Sequence, residues 1–371
     1  MGHVNKNISN TASTQEQDEH LAVADIAEQL RSISDHTVFL FCSSRYNLAN
    51  LKDALNQRFD GNVIGCTSSG LVGPRGYQRG GITAVSLSKS AFRVEPHLIK
   101  PLSDTKAQVE SIARAAKSSN DGKTFGLLLV DGLSKMEEEL AAELGLQLPN
   151  IPIVGGSAGD DLRLRETHVW YKDEFHSDAA ILALVTTDLP FQPLQVHHFI
   201  PGKRTVEITS ADPKNRTIFE INGESAALAY ADLVEVSLSD LNSNVFSKHP
   251  LLLEHEGKYY VRSIQRVNGD GSLMMYCAVE TGQKPWIAEP RDPLTVLGEA
   301  FNGLPAGIRD PSLVIGFDCI LRRLEFEQRR IDSTVGKFMA EHNVIGFCTY
   351  GEQFDSRHIN QTFTGVAIKA T

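Results

Sequence analysis

Three short segments carry the residue types able to hold or attack a small molecule. They read Ile64-Gly65-Cys66-Thr67-Ser68-Ser69-Gly70, Val154-Gly155-Gly156-Ser157-Ala158-Gly159-Asp160 and Ile345-Gly346-Phe347-Cys348-Thr349-Tyr350-Gly351. Each ends an apolar run and turns through glycine and small hydroxyl residues. Backbone N–H groups and hydroxyls at a strand end can cradle a carboxylate or phosphate. Thr67, Ser68 and Ser69 supply three adjacent hydroxyls for this, beside Cys66 and Gly70. The competing reading is that the glycines only permit tight turns. In the second segment, where Gly155, Gly156 and Gly159 leave few side chains, the structural reading is the stronger. None of the three has the Walker or GxGxxG spacing, which argues against nucleotide binding.

Four further groups bear on chemistry. Tyr350 and Glu352 lie two apart, so on an extended segment both face one side, a ring wall with a carboxylate suited to an amine-bearing ligand. Asp160-Asp161 reads as a turn or cap, since no third metal ligand is close in sequence. Cys66 acts as a nucleophile only if its pKa is lowered, and no His/Asn arrangement stands near it; a hydrolase or thiol enzyme using Cys66 or Ser68/Ser69 is the alternative function. A b-type haem needs an axial ligand in an apolar pocket. His168, His176, His197 and His198 are the candidates. His168 and His176 have aromatic neighbours, and the adjacent His197 and His198 face opposite sides if they lie on a strand.

The elements that position these groups repeat. An apolar run over residues 38–42 reads as a strand buried on both faces, and residues 17–32 and 47–59 have helical spacing. Residues 63–64 then enter the first segment, and residues 82–87 and 92–99 are strands. The order returns with a helix over 104–118 capped by Ser103, a strand over 125–130, a helix over 134–146, and strands over 168–172 and 179–187. A third copy runs over 312–319, a helix bearing Ile331, Val335 and Phe338, and a strand over 362–368. Gly65 to Val85 and Gly346 to Val366 both span 20 residues. Loops recurring at one place in a repeated unit gather around a common site.

Between the second and third copies the sequence is β-rich, with a hairpin expected around Asn268-Gly269-Asp270-Gly271 and a short helix over 224–233. The expected fold is α/β, with repeated αβαββ units and mixed sheets covered by helices, plus a β-rich segment opening the C-terminal half. The sheets are mixed because the strands after each loop are joined too tightly for helical crossovers. Residues 1–17, polar and biased to Asn, Ser, Thr and Gln, read as a disordered leader. Residues 18–190 form the first domain, and 191–371 the second.

Composition narrows the function. The 371 residues suit two domains. A net charge of −10 argues against nucleic acid and against an anionic membrane surface. No apolar stretch reaches the roughly 18 residues of a bilayer span, and residues 1–18 lack a signal-peptide core. Five cysteines without a CxxC argue against a disulfide framework, a zinc site or c-type haem, and suit a reducing cytoplasm.

With these motifs in order, the chain resembles FIST proteins, two-part sensory modules of bacterial signalling. Residues 64–70, 152–161 and 346–352 resemble the family's marks. Phe219-Glu220-Ile221-Asn222-Gly223, continued by residues 226–230, resembles the opening of the FIST C half. Tyr350-Gly351-Glu352 followed by His358-Ile359-Asn360-Gln361-Thr362 resembles its close. The resemblance covers residues from about 38 to the C-terminus. It implies a non-catalytic sensor of small molecules such as amino acids, with Tyr350, Glu352 and His358 joining residues 66–70 in the ligand site. One branch without a fused output domain is the haem-binding nitric-oxide-sensing (NosP) group, which acts on a separate histidine kinase or cyclic-di-GMP enzyme. In that version the cofactor is haem b, with the four histidines above as axial candidates and ligation by Tyr or Cys also open.

Overall fold

A computed structural model describes residues 8–30, 36–60, 63–116 and 123–370. The chain separates into two units. The larger holds residues Met1–Gln195, Phe301–Arg357 and Phe363–Thr371; the smaller holds Val196–Ala300 and His358–Thr362.

The larger unit is built from one pattern used three times. In the first copy, strand Ser9–Thr14 leads to helix Glu19–Leu30, strand His36–Ser43, helix Leu48–Arg58 and strand Val63–Ser68. A hairpin of Leu71–Gly73 and Gly76–Gln78 follows, then strand Ile82–Ser88. The second copy repeats this with Arg93–Ile99, Thr105–Ala116, Thr124–Val130, Glu137–Gln147, Ile153–Ser157, the hairpin Val169–Tyr171 and Glu174–His176, and Ala180–Thr186. The third begins with Phe191–Val196 and resumes at helix Pro293–Asn302. It continues through Leu313–Cys319, two helices (Ile320–Gln328 and Asp332–Glu341), Val344–Thr349, the hairpin Glu352–Phe354 and Arg357–Ile359, and Phe363–Ile368.

Register shows that the copies are equivalent. Leu40 of the first copy's central strand pairs parallel with Gly65 and antiparallel with Ala84. Leu128 pairs likewise with Gly155 and Leu182, and Gly316 with Gly346 and Gly365. The sheets are therefore mixed, as the short connections require. Each six-stranded sheet is completed by a hairpin from a different copy. The first copy's hairpin pairs with the third copy's Val344–Thr349, the second's with Val63–Ser68 of the first, and the third's with Ile153–Ser157 of the second. The exchange is cyclic and closes on itself.

The central strands are apolar along their whole length because both faces are covered. Phe39, Phe41, Leu127, Leu129, Phe317 and Phe347 turn inward to one core shared by all three sheets; the Phe41 and Phe347 rings lie 4.8 Å apart. Val38, Leu40 and Cys42 turn outward beneath the first copy's helices. Helix Leu48–Arg58 starts where the Asn47 side chain accepts the N–H of Ala49 and Asn50, and it buries Leu51, Ala54 and Leu55.

Several expectations change. The leader is ordered strand from Ser9, because its residues pair antiparallel with Ile82–Ser88; residues 1–7 lie outside the described residues. The repeat begins one strand earlier than αβαββ. Ser103 sits inside a 3-10 turn, Leu102–Asp104, whose N-cap position is Pro101. The third copy has two helices where one was expected. The division was expected at residue 190; by contact, Phe301–Arg357 and Phe363–Thr371 of the third copy group with the first two copies. The smaller unit thus interrupts the third copy after its first strand, and it takes in helix Pro293–Asn302 as far as Ala300, together with His358–Thr362.

The smaller unit has one sheet of Phe199–Thr205, Trp286–Pro290, Leu251–His255 and Lys258–Arg262. A second holds Ile208–Asp212, Thr217–Ile221, Leu273–Met275 and Ile264–Val267, with the short strand Glu224–Ser225 beside Thr217–Ile221. The expected hairpin over 259–280 is interrupted: the chain changes sheets at Ser263, and only Ile264–Val267 pairs with Leu273–Met275. The short helix spans Ala226–Leu233.

Gly65, Gly155 and Gly346 are strand residues, not turn residues. A Cβ on them would lie 2.0 Å from Leu40 O, 2.2 Å from Leu128 O and 1.7 Å from Gly316 O respectively. The repeated glycine therefore records a close approach of neighbouring backbones. Gly346→Ala is expected to cost about 3 kcal/mol or more, at the upper end of overpacking costs. Gly298→Ala, inside a helix with nothing within 4 Å, should instead gain up to about 1 kcal/mol. Urea unfolding of both variants checks this; equal effects would refute the close-approach account.

Candidate functional site

The three glycine-rich segments do meet. The N–H of Ser69 donates to Cys348 O (3.1 Å), that of Gly159 to Thr67 O (3.1 Å), and that of Tyr350 to Ser157 O (3.0 Å). In the other direction Thr67 N–H donates to His168 O (2.9 Å), Ser157 N–H to Gly351 O (2.8 Å) and Cys348 N–H to Gly70 O (2.7 Å). These six bonds form a ring through the three copies. Amides committed to it are not free to cradle an anion, so the repeated loops form the hub of the fold.

The side chains there are also occupied. Ser68 Oγ donates to Cys42 O at 2.9 Å, Thr67 Oγ1 accepts the His168 N–H at 3.1 Å, and Ser69 Oγ accepts the Asp161 N–H at 3.1 Å. All three hydroxyl residues are buried. Gly70, at φ 136°, makes room for Arg323: a Cβ there would stand 1.8 Å from Nη1. Tyr350 and Glu352 do not form a shared wall. The Tyr350 hydroxyl bonds Asp160 and accepts the Leu162 N–H at 2.6 Å, while the fully buried Glu352 accepts the Thr349 hydroxyl.

The second loop is longer than its counterparts. Six residues separate Gly65 from Leu71 and Gly346 from Glu352, but fourteen separate Gly155 from Val169. Asp160 organises the excess. Its carboxylate accepts the N–H groups of Leu164 (2.9 Å), Arg165 (2.7 Å) and Glu166 (3.2 Å). Burial alone would raise its pKa, but these bonds and the Tyr350 hydroxyl outweigh burial and hold it below the usual carboxylate value. The turn-and-cap reading of this aspartate matches that geometry. Burial, with Asp160 beside it, pushes the Tyr350 phenol up.

The thiols are poorly placed for catalysis. All five cysteines are free and buried. Burial and the neighbouring Cys42 push Cys66 well above its ordinary value. Burial pushes Cys348 to about 12 despite the Arg323 guanidinium 3.8 Å away, and Cys42 to about 12. None of these three is a thiolate at neutral pH. Among the described residues no imidazole or carboxylate is hydrogen-bonded to Ser68 Oγ or Ser69 Oγ as a base.

Of the four histidines named for haem, two belong to each unit. His168 precedes the second hairpin and His176 ends it; the other two belong to the smaller unit. His176 Nε2 is bonded to Tyr171 O (3.1 Å) and His197 Nε2 to Tyr259 O (3.1 Å), so Nδ1 would be the ligating nitrogen of either while that bond is kept. His198, the buried one of its pair, sits with its ring 4.4 Å from that of Phe199. His168 lies edge-on to Phe175 at 6.1 Å, and its Nδ1 is buried without a partner.

Two clusters escaped the sequence reading. In the larger unit, Asp318 accepts from Arg322 Nε (2.7 Å) and from the Tyr77 hydroxyl, both carboxylate and guanidinium being buried. A carboxylate inside the apolar run 313–319 with an arginine four residues on was the available signal.

The second cluster lies in the smaller unit, where Arg262 and Ser263 stand at the sheet change. Arg262 Nη1 donates to Val261 O (3.2 Å) and His358 O (3.3 Å), and Ser263 Oγ donates to Gln361 Oε1 (2.7 Å). Gln361 adopts a left-handed φ of 45°, and its Nε2 donates to Ser247 O at 2.9 Å. Asn360, between these anchors, is fully buried with both amide atoms unpartnered; such a group costs roughly 1–3 kcal/mol. His358 is buried beside them.

Sequence profiles place this architecture. The FIST N domain matches residues 36–224 and the FIST C domain residues 226–355. The chain belongs to the FIST family, whose domains sense small ligands in signalling and are sensory rather than catalytic. It is also similar to an uncharacterized protein of Methanocaldococcus jannaschii, 23% identical over 401 residues, covering 93% of this chain and 76% of that protein. No helix among the described residues is long and apolar enough to cross a membrane.

With every thiol buried, a thiol-directed reagent at pH 8 is expected to label none of the five cysteines in the native protein within the time that labels all five in denaturant. Fast native labelling of Cys66 alone would restore the thiol-enzyme reading.

Proposed function

We propose that this protein is a small-ligand sensor that reads its effector in the inserted unit and signals in trans to a separate histidine kinase or cyclic-di-GMP enzyme. The observation that carries this is the path of residues 358–362. They belong to the smaller unit, while the hairpin strand before them and the strand Phe363–Ile368 after them build sheets of the larger. An effector that reshapes this segment pulls covalently on two sheets. A two-state element of this kind converts binding energy into a population shift. The free cysteines agree with a reducing cytoplasm as the working compartment.

Amino acids and related metabolites are the effector class we favour, because the polar groups around residues 358–362 suit a compact polar ligand. Haem b with nitric oxide is the narrower version. It rests on His168, the candidate with an unpartnered ring nitrogen; haem there would supply an iron site for a diatomic gas.

A thermal-shift screen against amino acids, dicarboxylates, sugars, nucleotides and polyamines, with an absorption spectrum after haem reconstitution, tests the reading. Saturable stabilisation by one class is expected, about 2.7 kcal/mol at a hundredfold excess over Kd. A Soret band lost in His168→Ala would select the haem version. Neither a shift nor a Soret band would overturn the sensor reading.

A further inference from the structure

Resting on the sensor reading, we infer that Arg262 and Asn360 form a carboxylate-recognition site in the smaller unit, taking a small organic acid that carries a second hydrogen-bonding group, such as a free amino acid. Arg262 is the key. It is buried, and among the described residues no carboxylate lies within ion-pair distance of its guanidinium. Buried cations are ordinarily paired, because an uncompensated charge in a low-dielectric interior is costly. Here the protein supplies only backbone carbonyls, Val261 O and His358 O, and both meet Nη1. Nε has no partner. The side of the fork made by Nε and Nη2 therefore remains for an incoming group, and that side matches a carboxylate in bidentate fashion.

Asn360 is the second, independent observation. Its Nδ2 and Oδ1 are both buried and both unpartnered. An amide offers a donor and an acceptor together, which suits a ligand carrying another polar group beside its acid. The neighbouring Gln361 is fixed through both ends of its amide, on Ser263 and Ser247. The contrast between two adjacent amides, one fully engaged and one idle, marks Asn360 as the one held for something else. A single guanidinium favours a carboxylate over phosphate, whose higher charge calls for more cations.

Two measurements test this. In the first, thermal shift and calorimetry use the free L-amino acids and dicarboxylates, the carboxamide derivative of each, and inorganic phosphate. A carboxylate is expected to bind, its carboxamide to bind at least 100-fold more weakly, and phosphate not to compete. Arg262→Met should weaken the acid at least 100-fold and Arg262→Lys by less. In the second, which needs no ligand, Asn360→Asp supplies the missing counter-charge. It should raise the melting temperature of the free protein above wild type while abolishing acid binding; Asn360→Leu reports the packing contribution alone. Binding confined to neutral or phosphate compounds, carboxylate binding indifferent to Arg262→Met, or Asn360→Asp less stable than wild type would each overturn the inference. The first two of these outcomes would leave the broader sensor reading standing.

Discussion

The larger unit depends on a ring of six backbone hydrogen bonds in which each copy's loop donates to both of the others and accepts from both. Buried N–H and C=O groups must be paired, and here three loops satisfy the requirement only together. No copy can complete its sheet alone, because the hairpin at its open edge comes from another copy. The glycine–small-residue repetition follows from this constraint. Gly65, Gly155 and Gly346 let the strand that carries each loop approach its own copy's central strand.

Much of this was legible in the sequence. The buried strands announced themselves as unbroken apolar runs, the helices by spacing, and the repeat by shared register. The meeting of the three loops was also foreseen. What they do on meeting was not, because sequence shows that Thr67, Ser68 and Ser69 carry hydroxyls but not where their protons go. Polar composition concealed strand Ser9–Thr14: an edge strand whose partner is far in sequence needs no apolar pattern of its own. The hairpin exchange left no local trace either. Arg262 and Asn360 were invisible for a different reason, since an unpaired buried group is recognised only by counting partners in three dimensions.

Function follows the division between hub and insertion. In the hub the loop amides and the hydroxyls of residues 67–69 are engaged in holding the copies together, and the thiols of Cys66 and Cys348 are buried. At its sheet change the smaller unit leaves a guanidinium without a counter-ion and, at Asn360 next to Gln361, an amide without partners; the larger unit has an unpartnered amide of its own at Gln78. The family profiles meet near residue 225, inside that unit, so the FIST N and FIST C labels cut across the physical units. A third copy interrupted by an insertion explains why.

The central claim is that the ring makes the three copies one cooperative structure. Residue-resolved native-state hydrogen exchange measures it directly. The amides of Thr67, Ser69, Ser157, Gly159, Cys348 and Tyr350 should exchange last, with one common free energy equal to that of global unfolding of their unit. If the amides of one loop exchange at a distinctly lower free energy than those of the other two, the copies open independently and the account is contradicted.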